Sequence, residues 1–199
     1  ALGQVCHFDT EKTLPKDLCW ALKSKLPDSI VAKSAWIAAD DFHATTSATH
    51  KTYKYWIWNA PRSTALLARY SQWIRQPLDL EYLNDQAKYL VGKQDFKSFQ
   101  STGTPVNSTV REIYSAQWKM KKKNLVEFEI TGSGFLKQMV RNIVGTQTDF
   151  ALRGYPAEKM KEVLKAQDRK KAGPAAPGQG LFLYRVYYPQ SLDNKCRQI

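Results

Sequence analysis

The sequence predicts an α+β fold, a mixed and mainly antiparallel sheet with helices on one face. Residues 51–59 (KTYKYWIWN) form an aromatic and β-branched run of strand type, and residues 110–119 and 124–131 form two more. Residues 134–150 instead repeat their apolar positions at helical spacing, through Phe135, Leu136, Met139, Val140, Ile143 and Val144. Strand and helix patterns interleave along the 199 residues with no internal repeat, as expected for mixed layers and not for a solenoid.

The elements follow in order. Residues 5–10 alternate well enough for a strand. A helix is expected over 15–26, with Pro15 at its first turn, where the missing N–H costs nothing. Ile30, Val31, Trp36 and Ile37 predict a strand over 29–38, and Pro61 ends the strong strand 51–59. Helices are predicted over 64–74 and 80–91, flanking Gln76-Pro77, the expected boundary between halves 1–75 and 76–199. The strands 110–119 and 124–131 read as a hairpin closed by a lysine-rich turn at 120–124. After the helix at 134–150 come a helix at 156–167, a Pro/Gly/Ala loop at 172–180, a strand at 181–188 and a loose tail from Pro189.

Composition narrows the function classes. Thirty Lys and Arg against eighteen Asp and Glu give a net charge of +12, an excess that favours a polyanionic partner, and nucleic acid first. No apolar run approaches membrane-spanning length, so no membrane partner is expected. Cys6, Cys19 and Cys196 are widely spaced and lack a Cys-x-x-Cys or Cys/His cluster. They read as reduced thiols of a cytoplasmic protein, with no metal site expected. Arg141 stands out within its helix because a guanidinium keeps its proton. Placed among apolar residues it needs an anion, unless it snorkels to the helix edge.

Ordered motifs extend this reading. The run GSGFLKQMVRNIVG at 132–145 resembles the tRNA pseudouridine synthase A family. Segments ALGQVCHFDT at 1–10, DFHATTSATHKTYKY at 41–55, GKQDFKSF at 92–99, STVREI at 108–113 and DRKKAGPAAPGQGL at 168–181 match in the family's order. The resemblance implies a pseudouridine synthase-like fold of two α/β halves sharing a central sheet, and cofactor-free isomerisation of uridine in RNA. In that chemistry the C–N glycosidic bond breaks and the base rejoins through carbon. An aspartate acts as nucleophile or base, an arginine holds it ionised, and an aromatic ring stacks on the flipped base. By resemblance Tyr53 matches the stacking ring and Arg141 the paired arginine. Lys51, Lys54, Arg62, Arg69, Arg111 and Lys137 are expected to line an RNA-facing surface.

Other positions depart from the family pattern. The family's Arg-Thr-Asp-x-Gly-Val-His loop precedes the strand that here occupies residues 1–10, so the resemblance implies no catalytic aspartate within residues 1–199, and likewise no first strand and helix. Thr45-Thr46 stand where the family has Arg-Phe, and Lys137-Gln138 where it has Tyr-His. Asp9, Asp40, Asp41 and Asp95 are the remaining candidates to substitute, but a misplacement of about 1 Å costs roughly a hundredfold in rate. The expectation is a tRNA-binding, catalytically inactive homodimer, in which a second copy covers the exposed edge. Two alternatives stay open: an active synthase represented by a fragment, and a dimeric scaffold that binds no RNA.

Overall fold

A computed structural model describes residues 1–101, 103 and 106–199. Its elements are α1 (Leu18–Lys23), β1 (Trp36–Ile37), β2 (His50–Asn59), β3 (Gln72–Ile74), α2 (Leu80–Lys88), β4 (Gly92–Asp95), β5 (Val110–Lys122), β6 (Leu125–Gly132), α3 (Met139–Arg153), α4 (Lys159–Ala166), β7 (Leu181–Tyr187), α5 (Gln190–Asp193) and β8 (Arg197–Gln198). The chain divides into two compact units, residues 1–4 with 50–186, and residues 5–49 with 187–199.

The larger unit is built on a six-stranded sheet ordered β3-β2-β6-β5-β4, with β7 also pairing β2. All ladders with a described register are antiparallel except β2–β3, which is parallel and sets Trp58 opposite Trp73. The α+β class and the mixed, mainly antiparallel sheet are those expected from sequence. Alternation in β2 divides its residues between two faces. Tyr53, Tyr55 and Ile57 lie opposite Ile130, Phe128 and Val126, on the side that forms the core with Leu83, Trp118, Met139 and Ile143. The opposite face carries Thr52, Lys54 and Trp56 against Thr131, Glu129 and Glu127.

Helix α3 is buried over most of its length, as its pattern predicts. Polar bonds also anchor it: Asn142 Nδ2 donates to Phe99 O at 2.7 Å, and Trp118 Nε1 to Gln147 Oε1 at 3.0 Å. Gly145 lets the 172–180 loop lie directly on the helix, because a Cβ there would come within 1.9 Å of Pro174 O. Gly173 N–H donates to Thr146 Oγ1 at 2.9 Å, completing the attachment.

The smaller unit differs most from expectation. Residues 5–10 form no strand, and of 29–38 only Trp36–Ile37 pairs, antiparallel to β8. A suitable alternation becomes a strand only when a neighbouring backbone completes its ladder. The tail is not loose: α5 and β8 order it, and Ile199 N–H donates to Ala35 O at 3.1 Å.

Two helix predictions in the larger unit need correction. Residues 65–70 form turns, such as Tyr70 N–H to Leu67 O at 2.9 Å, and 72–74 form β3. Pairing with β2 claims Gln72–Ile74, which cuts the helix pattern begun at Ala65-Leu-Leu-Ala68 to a run too short to hold a helix alone. Helix α3 begins at Met139 and not at residue 134, because Gln138 takes a left-handed backbone (φ 65°) immediately before it.

Candidate functional site

Arg141 lies in the first turn of α3, and it is half-buried. A cation there opposes the helix dipole, which prefers negative charge at this end. Its contacts are with neutral oxygens. Nε donates to Ala176 O at 2.6 Å, and Nη1 to Gln138 Oε1 at 2.5 Å. Ala176 N–H returns a bond to Arg141 O at 3.0 Å, so the loop grips this residue by backbone and side chain together. Among the described residues no carboxylate pairs with Arg141. The expected anion is therefore not supplied by these residues, and carbonyl and amide oxygens partly satisfy the guanidinium instead.

Beside it stands Tyr55, whose hydroxyl donates to Pro177 O at 2.7 Å and lies 3.1 Å from Gln72 Oε1. Burial raises the Tyr55 pKa, with the nearby Arg141 charge acting against that shift, so the ring remains a neutral phenol. Gly178 borders the guanidinium: a Cβ at that position would make an ordinary contact, 3.8 Å from Arg141 Cζ and Nη1. Two residues along the same sheet face, Tyr53 packs edge-on against Phe135 with centroids 5.0 Å apart. Burial raises its pKa as well. The half-buried Arg141 guanidinium thus lies beside the fully buried Tyr55 ring, and Tyr53 is half-buried further along the same strand face.

The comparisons with known proteins agree with this arrangement. A family model described as tRNA pseudouridine synthase matches residues 86–189, a span that holds α3, Arg141 and the 172–180 loop. A tRNA pseudouridine synthase A of Bdellovibrio bacteriovorus is 61% identical over 203 residues, covering all of this chain and 78% of that protein. The chain belongs to the tRNA pseudouridine synthase A family. Proteins of the same description from Ruminiclostridium cellulolyticum and Bacillus subtilis are 39% and 40% identical, each over 94% of this chain, covering 77% and 76% of their own lengths.

Within this family member the cations singled out from sequence occupy different surroundings. Arg62, Arg69 and Lys137 are exposed, and Lys51 is half-buried. Arg111 is half-buried, with Nη1 donating to Ser108 O at 2.9 Å and Val110 O at 2.6 Å, and its stem lies against Gly134. Lys54 departs most from the picture of an RNA-facing cation. It is 8% exposed, its Nζ lies 3.4 Å from Glu127 and 2.9 Å from Glu129, and it sits 3.7 Å above the Tyr184 ring. Burial works against its charge, but the two carboxylates outweigh it and raise the pKa. Strand alternation alone turns Lys54 away from the Tyr53 and Tyr55 face.

Several site residues escaped the sequence reading. Gln138 was visible there only as a departure from the family's Tyr-His pair. Ala176 and Pro177 act through backbone carbonyls, which carry no side-chain signature. The proximity of Tyr55 to Arg141 depends on tertiary packing between β2 and α3. Alternation in a single strand could still have paired Tyr55 with Tyr53. Among the described residues, no cluster of His, Cys, Asp and Glu could hold a metal ion, and no helix is long and apolar enough to cross a membrane.

Proposed function

We propose that residues 1–199 bind tRNA at a pseudouridine synthase A site and do not isomerise uridine on their own. The observation that carries this reading is the Arg141 guanidinium, engaged by two neutral oxygens and by no carboxylate among the described residues. Isomerisation needs an ionised acid at the glycosidic carbon, and a guanidinium can hold such an acid ionised but cannot replace it. Tyr53 is the stacking ring for a flipped uridine, and Arg141 contacts that nucleotide or the acid that attacks it. The phosphate backbone then runs over Lys51, Arg62, Arg69, Arg111 and Lys137. Lys54, enclosed by Glu127 and Glu129, is left out of that path.

The net charge of +12 supports RNA as the partner, since each phosphate contact releases counterions. Three free thiols, Cys6, Cys19 and Cys196, fit work on tRNA in the cytoplasm. The smaller unit exposes Phe8, Trp20, Val31 and Trp36, apolar surface that a homodimer would cover. Sedimentation analysis reads that assembly directly.

Tritium release from anticodon-arm tRNA labelled at uridine C5 tests the central reading. Residues 1–199 should give background release while retaining salt-sensitive tRNA binding. Turnover above background would refute the inactive reading and favour a complete active site, whereas no salt-sensitive binding would favour the scaffold.

A further inference from the structure

Three non-glycine residues among those described have a positive φ: Asn124, Gln138 and Gln167. Asn124 lies in the β5–β6 turn, and Gln167 ends α4, both ordinary places for a left-handed residue. Gln138 is different. It precedes α3, where the capping residue normally has an extended backbone and a side chain bonded to the next turn. Here φ is 65° and ψ is 0°, and the side chain makes no cap bond to the helix. It reaches instead to the residue three positions on, where Oε1 accepts from Arg141 Nη1 at 2.5 Å. The backbone bond from Asn142 N–H to Gln138 O, at 2.9 Å, anchors Gln138 to the same turn.

The geometry points to Gln138 as the positioning residue for the Arg141 guanidinium, a role that rests on Arg141 belonging to the uridine site. A guanidinium is flat, so two bonds from different atoms determine its plane. Ala176 O fixes Nε and Gln138 Oε1 fixes Nη1, which leaves Nη2 without a hydrogen-bond partner among the described residues. Both acceptors are neutral, so they orient the cation without neutralising it. A glutamate at position 138 would orient it equally well but would compete with any incoming anion. The strained backbone is consistent with this placement, because a left-handed glutamine must be stabilised by its surroundings.

The test uses residues 1–199 with isotopically labelled arginine, the Arg141 signal being identified by its loss in Arg141→Lys. The rate of rotation about the Nε–Cζ bond is measured by NMR, beside the affinity ratio for anticodon-arm RNA carrying uridine or cytidine at the target position. Gln138→Gly deletes the side chain and suits the positive φ, so it isolates the lost bond from backbone strain. It should speed rotation at least fivefold and reduce the uridine preference by a similar factor. Gln138→His, which restores an acceptor, should recover both. Rotation unchanged in Gln138→Gly would overturn the proposal. So would faster rotation with an unchanged uridine preference. A wild-type chain with no uridine preference would instead overturn the uridine-site reading, and the rotation rate would then decide the Gln138 clamp separately.

Discussion

Lys54, buried, and Arg141, half-buried, are cations of the same unit, yet opposite surroundings complete them. Lys54 projects from one sheet face between Glu127 and Glu129, while Arg141 on the helix side meets a carbonyl and an amide oxygen. Glu127 is 1% exposed and gathers Lys54, Lys119, Lys121 and the Trp56 N–H. In that cluster every charge has a countercharge within the unit, so it is a device of the fold. The half-buried guanidinium keeps Nη2 without a hydrogen-bond partner among the described residues, which would suit a ligand. On the proposed function, the two faces separate a charge held for stability from one held ready for binding.

That contrast can be broken first on the Lys54 side. Glu127→Ala removes the shared partner of three lysines and should destabilise the protein by about 3 kcal/mol, the lower part of the range for breaking a buried pair because two of the lysines are partly solvated. Urea unfolding measures this, and a loss below about 1 kcal/mol would show the cluster to be incidental. On the Arg141 side the matching change is smaller. Arg141→Ala leaves two neutral acceptors without a donor and should cost about 1 kcal/mol of stability. Its larger consequence should be for uridine-containing RNA.

Tyr53→Ala sharpens the ligand side. Loss of a stacking face should weaken binding of a flipped uridine by roughly 1–3 kcal/mol, with little change in affinity for duplex RNA. Equal losses for both RNAs would make Tyr53 a packing residue against Phe135. The pH dependence distinguishes the two faces again. Burial alone would raise the Glu127 pKa, but Lys121, Trp56 and Lys54 outweigh it and hold the carboxyl at about 2, below its ordinary 4.5. A depressed folded pKa stabilises the protein above the unfolded value, so this contribution should decline as pH falls below 4.5 and be lost near 2. Glu127→Gln should flatten that part of the stability curve. The smallest effect concerns the exposed cations: Lys137→Ala should reduce the magnitude of the logarithmic salt slope of RNA binding by about 0.7 if it contacts a single-stranded phosphate.

The larger unit was the more legible in sequence, for a physical reason. The run 51–59, the hairpin and α3 carry dense periodic signals that agree with their tertiary surroundings. Residues 29–38 are equally apolar but acquire only a two-residue ladder, since a strand depends on a neighbour the local sequence does not specify. Residues 64–74 failed for the converse reason, as an edge pairing with β2 displaced an adequate helix pattern. Arg141 was conspicuous because a cation interrupts an apolar face. Its acceptors were not, because a backbone carbonyl such as Ala176 O leaves no trace in residue identity. Lys54 counts among the basic residues expected to face RNA, although strand parity sets it on the face opposite Tyr53.

The most direct test is a crystal structure of residues 1–199 bound to an anticodon-arm stem-loop. The expected result is a uridine turned out of the stack onto the Tyr53 ring, with a nucleotide oxygen accepting from Arg141 Nη2 and Lys54 still enclosed by its carboxylates. RNA bound across the Lys54 face, with Arg141 untouched, would contradict it.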